Sequence, residues 1–258
     1  MGKVICIFNQ KGGVGKTTTT INLSAYLANM GLKVLIADID PQGNTTSGLS
    51  INKDELEYSM YHVIMGEDPK KAIIGTQLEN LDIIPGTVEL AGAEIELTAK
   101  ISRETRVKEA LEQIKDEYDY IFIDCPPSLG LLSLNSLTAS NSVIIPIQCE
   151  FYALEGVGQL MKTFQLVKKS LNRDLEIQGV VMSMFDGRTN LSIEVVEEVK
   201  KFFKGKVYTT IIPRNVRLAE APSHGKPIVL YDKLSRGARA YEELAAEFLE
   251  YDRGENNG

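Results

Sequence analysis

Seven short runs rich in valine and isoleucine punctuate the chain, at residues 3–8, 33–38, 81–85, 120–124, 142–147, 178–185 and 206–212. None alternates with polar residues, so each predicts a strand covered on both faces, as in a parallel sheet flanked by helices. Helical spacing fills the intervals. After the first run, Ile21, Ala25, Ala28 and Leu32 form one stripe, and Gly31 supplies a stop. A second stripe joins Leu154, Val157, Leu160, Met161, Phe164 and Val167. Strand and helix alternate to the end, which predicts a doubly wound, mainly parallel α/β sheet with helices on both faces. Ligands of such sheets sit at the carboxyl ends of the strands. One domain is expected over residues 1–250, with 251–258 as a short flexible tail.

The stretch "NQKGGVGKTTTT", residues 9–20, occupies the first of those ends. Gly12, Gly13 and Gly15 let backbone N–H groups turn around an anion, with Val14 between them, and the following helix adds its dipole. Lys16 can then reach the terminal phosphates, Thr17 can ligate Mg²⁺, and Thr18 can contact a phosphate oxygen. The common phosphate-loop pattern fails at its first glycine, where Gln10 stands, and matches instead the rarer string K-G-G-x-G-K-[ST]. Asp124 ends the run at 120–124, from which a carboxylate can hold Mg²⁺ through water opposite Thr17. Asp38 and Asp40 end the run at 33–38 and its turn. Asp38 is expected as a structural cap, and Asp40 as the carboxylate that orients a water toward the γ-phosphate.

Other chemistries find little support. Cys6, Cys125 and Cys149 lie in or beside apolar runs without metal-site spacing, and His62 and His224 are far apart, so a zinc centre is not expected. No apolar run is long enough to cross a bilayer, and a cytoplasmic protein is expected. The net charge is −7, but it is unevenly spread. Residues 162–239 hold fifteen Lys and Arg against eight Asp and Glu, whereas the rest holds thirteen against twenty-seven. Such a split can place one basic face on an acidic protein.

Five segments in order, "KGGVGKTT", "DIDPQGNTTSGL", "IDCPPSLGLL", "IPRNVRLAEAPSHGKPI" and "YDKLSRGARAYEELAAE", resemble the deviant Walker A ATPases of the ParA/MinD group, and within it the chromosomal ParA (Soj) subfamily. The resemblance implies an ATPase of the phosphate-loop NTPase type that binds ATP and Mg²⁺ and forms an ATP sandwich homodimer. In that state such proteins bind double-stranded DNA nonspecifically on the nucleoid. A ParB-type centromere-binding partner stimulates their slow hydrolysis. Carried onto this chain, the resemblance makes Lys16 and Thr17 phosphate and metal ligands, Asp40 the water-orienting residue and Asp124 the Walker B acid. Pro213 and Asn215 fall where the family contacts adenine, and Arg188 and Arg217 where it contacts DNA. Lys11 is the family's signature lysine, reaching the other subunit's phosphates. Its residues alone leave open a contact with its own nucleotide; a cation delivered in trans would couple hydrolysis to assembly.

The basic window adds Lys200, Lys201, Lys204, Lys226, Lys233 and Arg236 as further candidates for tracking DNA phosphates, and no recognition helix stands out. The alternative is a MinD-like membrane-cycling regulator of cell division, which needs a cationic amphipathic C-terminal helix. Here that end is glutamate-rich, so no membrane partner is expected. An iron–sulfur relative needs cysteines on two loops, and only Cys125 is suitably placed. A metabolic ligase or kinase ranks third, with no substrate pocket legible.

Overall fold

The structure, a computed structural model, describes residues 2–150 and 153–255. Its strands are β1 (Lys3–Ile7), β2 (Val34–Asp38), β3 (Ile74–Gly75), β4 (Leu81–Ile84), β5 (Tyr120–Asp124), β6 (Ser142–Gln148), β7 (Glu176–Phe185) and β8 (Val207–Pro213). They form a single sheet in the order β3-β4-β2-β5-β1-β6-β7-β8. All seven apolar runs become strands, and their neighbours pair in parallel. The exception is β3, two residues long and antiparallel to β4 at one edge.

Covered faces explain the unbroken apolar runs. Val4, Cys6 and Phe8 point into one core with Leu35, Ala37, Ile121 and Ile123, while Ile5 and Ile7 point into the other with Val34, Ile36 and Phe122. The three cysteines are buried free thiols. Helix Lys16–Asn29 packs into the second core through Ile21, Ala25 and Ala28, and stops at Gly31, whose φ of 89° suits the residue beyond a helix end. Helix Ala153–Ser170 buries Val157, Leu160, Phe164 and Val167 in the first core, with Met161 packed beside them. The Leu154 side chain lies outside the described residues.

The chain end departs from expectation. The last helix runs Arg236–Glu255, so residues 251–255, expected as a tail, are its final turns. Asp252 is buried and accepts from Lys3 Nζ at 2.5 Å and from the Tyr120 hydroxyl at 2.7 Å. These bonds tie the helix end to β1 and β5. Residues 256–258 lie outside the described ones.

Candidate active site

The loop between β1 and helix Lys16–Asn29 folds as its glycines require. Gly13 and Gly15 adopt φ of 74° and 93°, which turns the backbone into a cradle ending at the helix N-terminus. Gly12 and Gly13 are exposed, and a Cβ on either would meet no atom within 4 Å. Val14 faces inward, and its carbonyl accepts from the Ser183 hydroxyl on β7 at 2.8 Å. A cavity of about 570 Å³ opens over this loop. Gly12, Gly13, Gly15, Lys16, Thr17 and Thr18 line one side, and Asp40 with its following turn the other. Lys16 is buried, and its ammonium donates to the Lys11 carbonyl at 3.3 Å, poised at the cradle.

Three carboxylates stand behind the loop. Asp124 is buried; its Oδ2 accepts from Thr17 at 2.8 Å and from Thr45 at 2.6 Å, and its Oδ1 from Thr20 at 3.4 Å. Burial pushes its carboxyl above the usual range, opposed by the bonds from Thr45 and Thr17 and the charge of Lys16. Asp38 pairs in register with Asp124 across β2 and β5 and is fully buried. Burial and the Asp124 charge raise it as well, against hydrogen bonds from Thr46. Asp38 Oδ2 accepts the Thr46 N–H at 2.9 Å and the Thr46 hydroxyl at 2.6 Å, and the Gly86 N–H in turn reaches that hydroxyl at 2.9 Å. It is thus the cap of the loop after β2, as expected. Asp40 sits at the cavity wall, with one oxygen accepting the Gln42 N–H at 2.9 Å.

The donor set suits magnesium. A threonine hydroxyl and a carboxylate, 2.8 Å apart at the phosphate cradle, are hard oxygen donors of the kind that hold this ion together with waters and phosphate. No cluster of three or more His, Cys, Asp or Glu that could hold a metal occurs among the described residues.

A second cavity of about 280 Å³ continues from the first, sharing Gly15, Thr18 and Met184 with it. Pro213 and Asn215 line it, together with Ile212, Leu218 and Tyr241. Met184, at the seam, holds φ of 53°, a rare conformation for a side-chain-bearing residue. Sequence reasoning named neither Met184 nor Tyr241. The first sits in an ordinary apolar run and the second 222 residues from Thr19, whose hydroxyl lies 3.2 Å from it.

Lys11 does not line the phosphate cavity. Its ammonium turns outward to Glu150, 3.6 Å away, and Arg214 lies 3.9 Å from the same carboxylate. The basic candidates are unevenly gathered. Arg217, Lys233 and Arg236 come together through the Arg217–Asp232 contact and the packing of Leu218 on Gly237; Lys226 follows on the segment after Glu220, where its N–H bonds the Ala221 carbonyl at 3.2 Å. Arg188 stands beside Arg214, because the Arg214 N–H bonds the Phe185 carbonyl at 3.0 Å. Lys201 stands apart, in the last turn of helix Asn190–Phe203 just before β8 begins, at the strands' amino ends. Several cations already have acidic partners: Arg188 pairs with Asp186 at 2.6 Å and Lys201 with Glu198 at 2.6 Å. Lys226, Lys233 and Arg236, all exposed, make no ion pair among the described residues.

Comparison with known proteins bears on this site. Residues 2–177 match a family model described as an AAA domain. The chain is 63% identical over 248 residues to the sporulation initiation inhibitor protein Soj of Bacillus subtilis, covering 96% of this chain and 98% of the relative. It is 49% identical over 253 residues to the chromosome-partitioning ATPase Soj of Treponema pallidum, covering 98% and 99%. Among solved structures, a Mycobacterium smegmatis protein named cobyrinic acid a,c-diamide synthase, with bound ADP and magnesium, superposes with a TM-score of 0.86. The two share 37% identity, over 98% of this chain and 96% of that one.

Proposed function

The chain belongs to the ParA/Soj family of chromosome-partitioning ATPases, and on that premise we propose that it is an ATP-switched homodimer that binds duplex DNA without sequence preference. Hydrolysis, stimulated by a ParB-type partner, ends the DNA-bound state. ATP occupies the two joined cavities, its phosphates on Gly12–Thr18 and its base against Pro213 and Asn215. Magnesium, held by Thr17 and by Asp124 through water, neutralises phosphate charge when bound. Asp40 orients the attacking water from the cavity wall. DNA phosphates lie on Arg188, Arg217, Lys226, Lys233 and Arg236, with Lys201 as an outlying contact.

The observation that carries the reading is the open rim of the phosphate cavity. Gly12 and Gly13 leave backbone exposed there, and Lys11 points away from the cavity toward half-exposed Glu150. A second subunit approaching this rim would meet bare backbone and a cation able to leave Glu150 for its phosphates. Exposed ion pairs are weak, so that exchange costs little.

A membrane-cycling role fits less well. The last helix spends its apolar face on the protein's own core, with Tyr241, Leu244, Ala245 and Phe248 buried, and no helix among the described residues is long and apolar enough to cross a membrane. Two substitutions test the proposal by light scattering and phosphate release. Lys16→Ala should abolish the ATP-dependent dimer, while Asp40→Ala should keep the dimer and lower turnover by roughly 10²–10⁴-fold. Parental turnover in Asp40→Ala would remove Asp40 from the mechanism.

A further inference from the structure

The base cavity and the basic face share a wall one residue thick. On the one-turn helix Val216–Glu220, Leu218 and Ala219 line the cavity with Asn215, whose side chain accepts the Leu218 N–H at 3.3 Å. The other residues of that turn include Arg217 and Glu220, which face outward and pair with each other. Behind Leu218 lies the first turn of the last helix: a Cβ on Gly237 would come within 2.6 Å of Leu218 Cγ. Leu218 is therefore held between the cavity and the backbone next to Arg236.

Arg217 is occupied in this arrangement. Its Nη1 donates to Glu220 Oε2 at 2.9 Å, and its Nε lies 3.4 Å from Asp232 Oδ2. The Tyr231 hydroxyl donates to the same Glu220 oxygen at 3.2 Å, which fixes the carboxylate in place. With Glu220 on its Nη1 and Asp232 near its Nε, the guanidinium can take a phosphate only in competition with two carboxylates. They also set two negative charges beside the cation that a polyanion must reach. Because the group is exposed, its pairing is weak enough for a modest rearrangement to undo it.

We infer that Glu220 and Asp232 form a carboxylate clamp that withholds Arg217 from DNA, and that filling the base cavity, by displacing Leu218 and Ala219, opens it. The inference rests on the reading of this face as a DNA contact. Asp232 and Tyr231 lie outside the helix that carries Arg217 and Glu220, so a shift of its inner residues breaks the Asp232 contact and the Tyr231 bond that fixes Glu220, leaving that carboxylate free to turn away from Arg217. Nucleotide binding then adds phosphate contacts within each subunit, apart from the doubling that dimerisation provides.

The test compares binding to random-sequence duplex DNA across a salt series, with and without ATP. The proteins are the parent, Glu220→Gln with Asp232→Asn, Arg217→Ala, and the triple variant. Without nucleotide the clamp variant should bind about tenfold tighter than the parent at low salt, with a log–log salt slope steeper by about one per subunit. With ATP the two should agree within about twofold. The triple variant should behave as Arg217→Ala alone, which shows that the gain passes through the arginine and not through net charge. Glu220→Gln alone, a near-isosteric surface change, should give part of the gain. Equal binding of parent and clamp variant without nucleotide, or a gain that persists without Arg217, would overturn the clamp while leaving ATP-dependent DNA binding intact. Failure of the parent to bind DNA with ATP would overturn the reading of the face, and the clamp with it.

Discussion

The Thr45 hydroxyl donates to Asp124 Oδ2 at 2.6 Å, joining the loop that carries Asp40 to the end of β5. Thr17 of the phosphate loop donates to the same oxygen at 2.8 Å. One buried carboxylate oxygen thus ties the phosphate cradle to the loop that carries Asp40. Thr45→Val keeps the volume and deletes the bond. It should cost roughly 1–3 kcal/mol of stability, because a buried charged acceptor loses a partner. ATP turnover should fall further than nucleotide affinity. Denaturant unfolding and steady-state phosphate release measure the two; parental values in both would show that the Thr45 bond positions nothing.

Gly12 and Gly13 separate interface from backbone effects. A Cβ at Gly12 has open space and no positive φ to contend with, so Gly12→Val should melt like the parent and still bind nucleotide. It should nonetheless remain monomeric with ATP, because its side chain stands on the rim a second subunit must approach. Gly13→Val, at φ of 74°, should also lose about 1–3 kcal/mol of stability from backbone strain. Light scattering with ATP and thermal melting distinguish the two; a full dimer of Gly12→Val would move the interface elsewhere.

Glu247 stabilises the sheet edge. Between Val180↔Val207 and Met182↔Ile211 the ladder gives β8 two more residues than β7. The Glu247 carboxylate accepts the freed N–H groups of Thr209, at 2.6 Å, and Thr210, at 2.9 Å, and the Thr209 hydroxyl at 2.9 Å. Burial raises its pKa, but those bonds outweigh it and hold the net value below the ordinary one. The folded state therefore binds fewer protons there than the unfolded chain. The contribution is present above the unfolded pKa, about 4.3, and lost as pH falls through the lower folded value. Glu247→Gln should destabilise at neutral pH by roughly 1–3 kcal/mol, and the difference from the parent should shrink below pH 4. Melting curves from pH 3 to 7 measure it; a difference that does not change with pH would assign the residue to packing.

Much of this was legible in the chain because the signals were local. Unbroken apolar runs marked seven strands, and glycine spacing marked the cradle. Asp38 as cap followed from its place at the end of a strand, and Asp40 at the cavity wall from the turn just beyond it. What stayed hidden depended on partners far away in sequence. Residues 251–255 read as a polar tail because nothing local shows that Asp252 meets Lys3 and Tyr120. The two residues of β3 are too few to show a period, and Met184 earns its place at the seam through its backbone angle. Charge counting found the basic window but not the acids within it. The pairing of Arg217 with Glu220 and Asp232 needs the fold, since Asp232 lies on another segment.

The central claim is that ATP switches the chain onto DNA. Its most direct test is retention on random duplex DNA and on anionic liposomes, with ATP, ADP or no nucleotide, across a salt series. The account predicts strong DNA retention with ATP alone, a steep loss of it as salt rises, and no liposome retention in any state. DNA retention equal in all three nucleotide states, or retention on liposomes in place of DNA, would contradict it.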